Sequence, residues 1–271
     1  MEKFKRGERI ALITKALIEQ PNRQISLSYF CDRFDAAKST ISEDLAIIKE
    51  ALQREKLGTL HTIAGAAGGI KYTPAVNLQE AEALLEHWCQ RLADPKRIIP
   101  GGFLYMADVI FDSFVVSKVG ELFAQYFSHL EIDCVITIET KGIPLATMTA
   151  KTLGVPLVII RDNSKVTEGS SVSINYVSGS SRRISTMSLS RRALPNGAKV
   201  LIIDDFMKAG GTAKGIHELM EEFDANVVGM GVFVATSEPK QKLVQNYLSI
   251  LELTVLDEEK DVIKLKPALF Q

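Results

Sequence analysis

Two adjacent carboxylates, Asp204 and Asp205, are followed within one short loop by Gly210, Gly211 and Thr212. Each part suits a phosphorylated sugar. Carboxylates accept hydrogen bonds from a vicinal diol. Glycines let backbone N–H groups turn toward a phosphate, and the start of a helix adds a positive field. Val200, Leu201, Ile202 and Ile203 precede the acids as an apolar run that reads as a buried parallel strand. The acids are therefore expected where that strand ends. The candidate binding residues of this run are Asp204, Asp205, Phe206, Met207, Lys208, Ala209, Gly210, Gly211 and Thr212. An ordinary strand–loop–helix of an α/β domain would carry the same acids and glycines as polar punctuation, and these residues alone leave that reading open.

Two further segments belong on the same rim, and a third is a candidate hood over it. Glu139, Thr140, Lys141 and Gly142 directly follow a second apolar run at residues 134–138. A basic residue there, one sheet position from the diol acids, is placed to hold an anion. Residues 162–192 are long and polar, with alternating stretches at 171–177 and 183–189 around a Ser-Gly-Ser-Ser turn, which reads as a β-hairpin. Its Lys165, Arg182, Arg183, Arg191 and Arg192 are within reach of phosphate or of a second subunit, or form a solvated arm. Phe103 and Tyr105, after Pro100-Gly-Gly, are candidate walls of a pocket for a planar ring, or core residues.

The elements that position these groups fall into two blocks. Residues 4–19 place Ile10, Ile13 and Leu17 on one helical stripe, and Pro21 stops the helix. Residues 25–34 read as a short helix capped by Ser26, and 38–56 as a third helix with Ile41, Leu45, Ile48 and Leu52 at spacings of four, three and four. Strand patterns at 58–63 and 70–73 flank a glycine-rich turn. Three helices and a hairpin form a winged helix-turn-helix. From about residue 80 strands alternate with helices, which argues for a mostly parallel sheet, whose ligands sit at the carboxyl ends of the strands. The expected domains are 1–74, α+β, and 75–271, α/β.

Composition narrows the function classes. Residues 1–74 carry a net charge of +3 and the remainder −4, against −1 for the chain. The asymmetry is modest and alone decides nothing. Cys31, Cys89 and Cys134 are odd in number and far apart, and His61, His87, His129 and His217 are scattered, so neither a disulfide framework nor a metal site is expected. With no signal-peptide pattern and no long apolar run, a cytoplasmic protein without membrane association is expected.

Residues 200–212, VLIIDDFMKAGGT, resemble the phosphoribosyl pyrophosphate (PRPP) motif of the type I phosphoribosyltransferases. In that family the acids bind the ribose hydroxyls and the loop the 5′-phosphate. Residues 139–142 resemble its pyrophosphate loop, and the hairpin matches the position of its flexible lid. Lys208-Ala209 departs from the Ala-Thr or Thr-Gly of many of the enzymes, which fits a site retuned for retention rather than turnover. Residues 39–45, 64–72, 100–102, 140–145, 165–169, 173–181 and 204–212 together make the whole chain similar to the purine operon regulators of Gram-positive bacteria. The resemblance implies a homodimeric DNA-binding regulator of purine genes, a type I phosphoribosyltransferase-like domain that senses PRPP without catalysing transfer, and guanosine tetraphosphate as a competitor. No cofactor is required on this reading, although Mg²⁺ can accompany PRPP. The alternative is an active purine phosphoribosyltransferase with an accessory DNA-binding domain.

In a winged helix the third helix enters the major groove. Here it offers Lys38, Ser39, Thr40 and Ser42, whose hydroxyls reach phosphates or base edges alike. Lys3, Lys5, Arg6 and Arg9 crowd the first helix and are expected on the flanking backbone, with Lys71 on the wing. Glu43 and Asp44 would repel phosphate and are expected away from it, partly as helix N-terminal charges.

Overall fold

The computed structural model describes residues 4–65, 68–163, 169–177 and 184–269. The chain divides into two compact units, Met1–Leu78 with Lys151–Gly154, and Gln79–Ala150 with Val155–Gln271.

The first unit orders α1 (Arg6–Glu19), β1 (Gln24–Ser26), α2 (Leu27–Phe34), α3 (Lys38–Arg54), β2 (Gly58–Ile63) and β3 (Gly69–Pro74). Ser26 caps α2 by accepting the Tyr29 N–H, and Asp35, in the left-handed region at φ 46°, turns the chain into α3 within three residues. Ile13 and Leu17 of α1, Phe30 and Phe34 of α2, and Ile41, Leu45 and Ile48 of α3 share one apolar core. The three-residue β1 was not legible in the sequence, because only Ile25 of it is buried and so short a run carries no periodicity. It pairs antiparallel with β3, which makes β3 the centre of a three-stranded sheet of order β1-β3-β2.

The second unit contains α4 (Leu78–Leu92), β4 (Ile98–Ile99), β5 (Phe103–Leu104), α5 (Ala107–Ile110), α6 (Ser113–Tyr126), β6 (Cys134–Ile138), α7 (Ile143–Leu153), β7 (Leu157–Ile160), β8 (Ser171–Val177), β9 (Ile184–Ser190), β10 (Lys199–Met207), α8 (Gly211–Glu221), β11 (Asn226–Thr236), β12 (Leu248–Asp257) and β13 (Val262–Pro267). Six strands form one sheet of order β13-β12-β11-β10-β6-β7. All neighbours are parallel except β12 and β13. All five residues of β6 are buried, as expected for a central parallel strand covered on both faces. The chain leaves β6 for β7 on one side and later returns to its other side as β10. That reversal is the topological switch point, where the strand ends diverge and open a crevice.

Strand β10 is longer than its apolar run. It continues through Asp204 and Asp205 to Met207, still paired with β11 as far as Met207 with Ala235. Its ladder with β6 stops at Ile202 with Ile136. The acids therefore lie inside the strand rather than after it, where one neighbour has already turned away. Strands β8 and β9 form a separate antiparallel hairpin, as the alternation predicts. The two-stranded β4–β5 ribbon and the β12–β13 pair were not anticipated from the sequence.

Candidate functional site

A cleft of about 670 Å³ opens at the switch point in the second unit. Asp204, Asp205, Phe206, Met207 and Lys208 from β10 and its exit, Gly210, Gly211 and Thr212 at the start of α8, and Glu139 and Lys141 after β6 all line it. Gly210 is the N-cap of α8, left-handed at φ 84°, so the first turn of the helix faces the cleft with its N–H groups unsatisfied by the helix itself. Phe103 lines the opposite wall beside Ile99, Leu104, Met106, Leu253 and Leu256. One end of the cleft is thus polar with phosphate-binding geometry, and the other is apolar and holds an aromatic ring.

Asp204 is buried and accepts the Asp205 N–H through Oδ1 at 2.9 Å. Burial, with the Asp205 carboxylate beside it, pushes the Asp204 pKa well above the usual carboxylate range. Burial raises Asp205 too, while its hydrogen bond with Asp204 and the charge of Lys141 pull it back. Two desolvated carboxylates call for donors, and a vicinal diol supplies them.

Gly142, Thr140 and Ala209 are expected binders that do not face the cleft. Gly142 instead permits a close approach. A Cβ there would lie 2.4 Å from Thr137 Oγ1 and 3.2 Å from Asp204 Oδ1, so any side chain would collide with the Thr137 hydroxyl and crowd the acid. Thr140 is exposed and follows a cis peptide after Glu139. Glu139 is anchored by Arg161 at 3.0 Å and by the Asp162 N–H at 2.8 Å. The Lys208 side chain is exposed, and its carbonyl is held from below by Thr236 and Lys242.

Tyr105 is a correction. It does not line the cleft. Its ring lies over the Arg97 guanidinium, 6.0 Å from centroid to Cζ, and its carbonyl accepts from Arg97. Arg97 and Arg91 also grip Asp108, holding that carboxyl down at about 2 and fixing the stem of the β4–β5 ribbon. At the tip of the ribbon, the Gly101 and Gly102 N–H groups donate to Glu258 of the β12–β13 turn.

Tyr176 lines the cleft and was missed. It sits on β8 and packs on α8, its Cβ 2.9 Å from where a Cβ on Gly215 would lie. Its only sequence signal is its position in the hairpin's alternation. Lys165, Arg182 and Arg183 lie outside the described residues, as does Lys3. Arg191 and Arg192 are exposed and are not among the cleft's lining residues.

On the first unit, Lys38, Ser39 and Ser42 are exposed on the opening turns of α3, and Thr40 is half-buried. The Ser42 hydroxyl donates to the Lys38 carbonyl at 2.9 Å. Lys5 is the exposed N-cap of α1. Lys71 is half-buried on β3, a strand of the β2–β3 hairpin and the centre of its sheet, paired with Gln24 and His61 on either side. Asp44 is withdrawn from the surface, in keeping with its expected place away from phosphate, but inside α3 rather than as a helix N-terminal charge. It is wholly buried and bound by Arg9 at 2.8 Å and by Arg6 at 3.3 Å. Arg6 and Arg9 therefore tie α1 to α3, a contact between residues 35 and more apart that spacing does not reveal.

Known proteins match both units. Residues 5–74 fit the model for the N-terminal region of bacterial purine repressors, and residues 112–265 the phosphoribosyl transferase domain. The purine biosynthesis transcriptional repressor PurR of Bacillus subtilis strain 168 is 50% identical over 264 residues, covering 97% of this chain and 93% of its own. The chain belongs to the PurR family. The PurR of Lactococcus lactis strain IL1403, named a transcriptional activator, is 38% identical with 94% of both chains covered. The fold of the second PurR unit is also that of an adenine phosphoribosyltransferase from Thermoanaerobacter pseudethanolicus, at a TM-score of 0.54 and 21% identity over 62% of this chain and 99% of that one. The PurR resemblance expected from the motifs, the N-terminal DNA-binding unit and the phosphoribosyltransferase-like fold all stand. Among the described residues no helix is long and apolar enough to cross a membrane, and no cluster of three metal-ligating side chains occurs.

Proposed function

We propose that this PurR-family chain binds operator DNA upstream of purine biosynthesis genes and that its second unit binds PRPP as the effector, without transferring the phosphoribosyl group. The observation that carries the reading is the convergence of Asp204, Asp205, Lys141 and the Gly210–Thr212 helix start on one cleft. On this reading the ribose diol is held by Asp204 and Asp205, the 5′-phosphate by the N–H groups from Gly210 to Thr212, and the pyrophosphate by Lys141. Mg²⁺ would enter on the pyrophosphate and neutralise it there. The protein acts in the cytoplasm as a homodimer, in keeping with the two-fold logic of operator sites. Guanosine tetraphosphate, a ribose bearing two pyrophosphates, competes for the same groups.

Phosphoribosyl transfer would need a general acid or base at the incoming nucleobase. Glu139, a carboxylate that lines the cleft, is already engaged with Arg161 and the Asp162 amide, which supports binding without turnover. The test is binding of the purified protein to a DNA fragment from upstream of a purine biosynthesis gene, titrated with PRPP, alongside a pyrophosphate-release assay with PRPP, Mg²⁺ and each purine base. A PRPP-dependent change in DNA affinity with no sustained release is expected. Sustained release with any base would overturn the non-enzymatic reading.

A further inference from the structure

Three consecutive residues after β11 meet three consecutive residues of the phosphate loop. Lys242 Nζ donates to the Lys208 carbonyl at 2.5 Å, and to the Thr236 carbonyl at 2.7 Å and hydroxyl at 3.1 Å. The Leu243 N–H donates to the Ala209 carbonyl at 2.8 Å. Val244 is buried, and its Cγ2 lies 3.2 Å from where a Cβ on Gly210 would be. An ammonium has three protons, and these three acceptors match them. Lys242 does not line the cleft, so it is not itself offered to a ligand.

We infer that Lys242 is a positioning residue for the phosphate site: with Leu243 and Val244 it braces residues 208–210 so that the first N–H groups of α8 stay aimed at a bound phosphate. The inference rests on the PRPP reading of the cleft. A loop that must present several N–H groups at once gains affinity when its conformation is fixed before binding. Lys242 fixes it by tying the loop's carbonyls to the end of β11, which leaves the N–H face free. The brace acts on the 5′-phosphate end. Lys141, on the far side of Asp204 and Asp205, belongs to a different loop and should not feel it.

That division gives the test. Binding of ribose 5-phosphate, pyrophosphate and PRPP to the full-length protein is measured by calorimetry for the unaltered chain, for Lys242→Met, which keeps the aliphatic stem, and for Lys242→Arg, which keeps the charge. Thermal melting checks that each is folded. Lys242→Met is expected to weaken ribose 5-phosphate and PRPP by roughly tenfold to a hundredfold, the range for losing charge-assisted hydrogen bonds, with pyrophosphate unchanged. Lys242→Arg should recover part of the loss. Should Lys242→Met not fold, the same split is read from Val244→Ala, which thins the brace behind Gly210 and does not line the cleft. Equal weakening of all three ligands, or no weakening of ribose 5-phosphate, would overturn the inference while leaving the PRPP reading intact. If the unaltered protein binds none of the three, the PRPP reading itself fails, and the inference with it.

Discussion

Asp204 and Asp205 are neighbours in sequence and partners in space, the carboxylate of the first accepting the backbone N–H of the second at 2.9 Å. The bond fixes the Asp204 rotamer, while Asp205 remains more open. It also brings two acids together in a buried place, which is unfavourable until something donates to them.

That cost has a sign that can be measured. The folded-state pKa of Asp204 is raised well above its ordinary 3.8. Its contribution to the stability of the ligand-free protein is full below the ordinary value and is lost as pH rises through the raised one. Asp204→Asn removes the penalty and keeps an oxygen for the Asp205 N–H. We expect it to raise the melting temperature of the ligand-free protein at neutral pH by about 2–4 °C, the shift for roughly 1 kcal/mol in a domain of this size. PRPP affinity should fall by at least about tenfold, the usual exchange of function for stability. Calorimetric melting from pH 4 to 8 and a PRPP titration check both.

The ion pair of Arg9 with Asp44 joins α1 to α3 with both side chains largely out of water, 12% and 1% exposed. Removing one partner of a buried pair costs roughly 3–5 kcal/mol. Arg9→Ala should lie near the low end of that range, since Arg6 remains near Asp44. Arg6→Ala should cost under about 1 kcal/mol, because Arg6 is 56% exposed. Urea denaturation, followed by a probe in the first unit, ranks them. Both should weaken DNA binding, Arg9→Ala the more, by releasing the recognition helix.

Direct DNA contacts obey a different rule. Each phosphate neutralised by a cation contributes about −0.9 to the slope of log affinity against log salt. Lys5→Ala and Lys38→Ala should each flatten that slope by about one, with little change in sequence preference. A slope unmoved by either would remove that lysine from the interface.

Tyr176 of the hairpin and Thr212 at the start of α8 line the same cleft. Tyr176→Phe keeps the ring and deletes the hydroxyl. Losing a neutral hydrogen bond of about 1 kcal/mol predicts about fivefold weaker PRPP binding, read by the same calorimetry, with the melting temperature nearly unchanged.

The sequence was most legible where one residue type had one physical use. Val200–Ile203 and residues 134–138 are apolar because both faces of those strands are covered, and both are strands. Ser26 caps a helix because its hydroxyl has an amide to accept. The helix-turn-helix was legible for the same reason, as was the place of Asp204 and Asp205 at one cleft. What stayed hidden depends on contacts between distant residues. Asp44 reads as a helix N-terminal charge until Arg9, 35 residues earlier, is folded against it. Lys242 carries no signal in the sequence until Lys208 is folded against it. Tyr105 and Phe103 are two residues apart on the same short segment, yet one faces the cleft and the other an arginine. The alternation in β12 was present in the sequence, but its place beside β11 follows from the sheet order, which composition does not carry.

The unequal ends of β6 and β10 have a mechanical meaning. Beyond Ile202, β10 is laced to the sheet along one flank only, by β11. Its last five residues form a shelf bracketed on a single side, and the other side is open to whatever enters. A ligand that bonds along the open flank does for the shelf what a further strand would have done. Stiffness along this strip is then something the occupant brings with it, and the difference between an empty and a filled cleft is a difference in how firmly one strip of sheet is held.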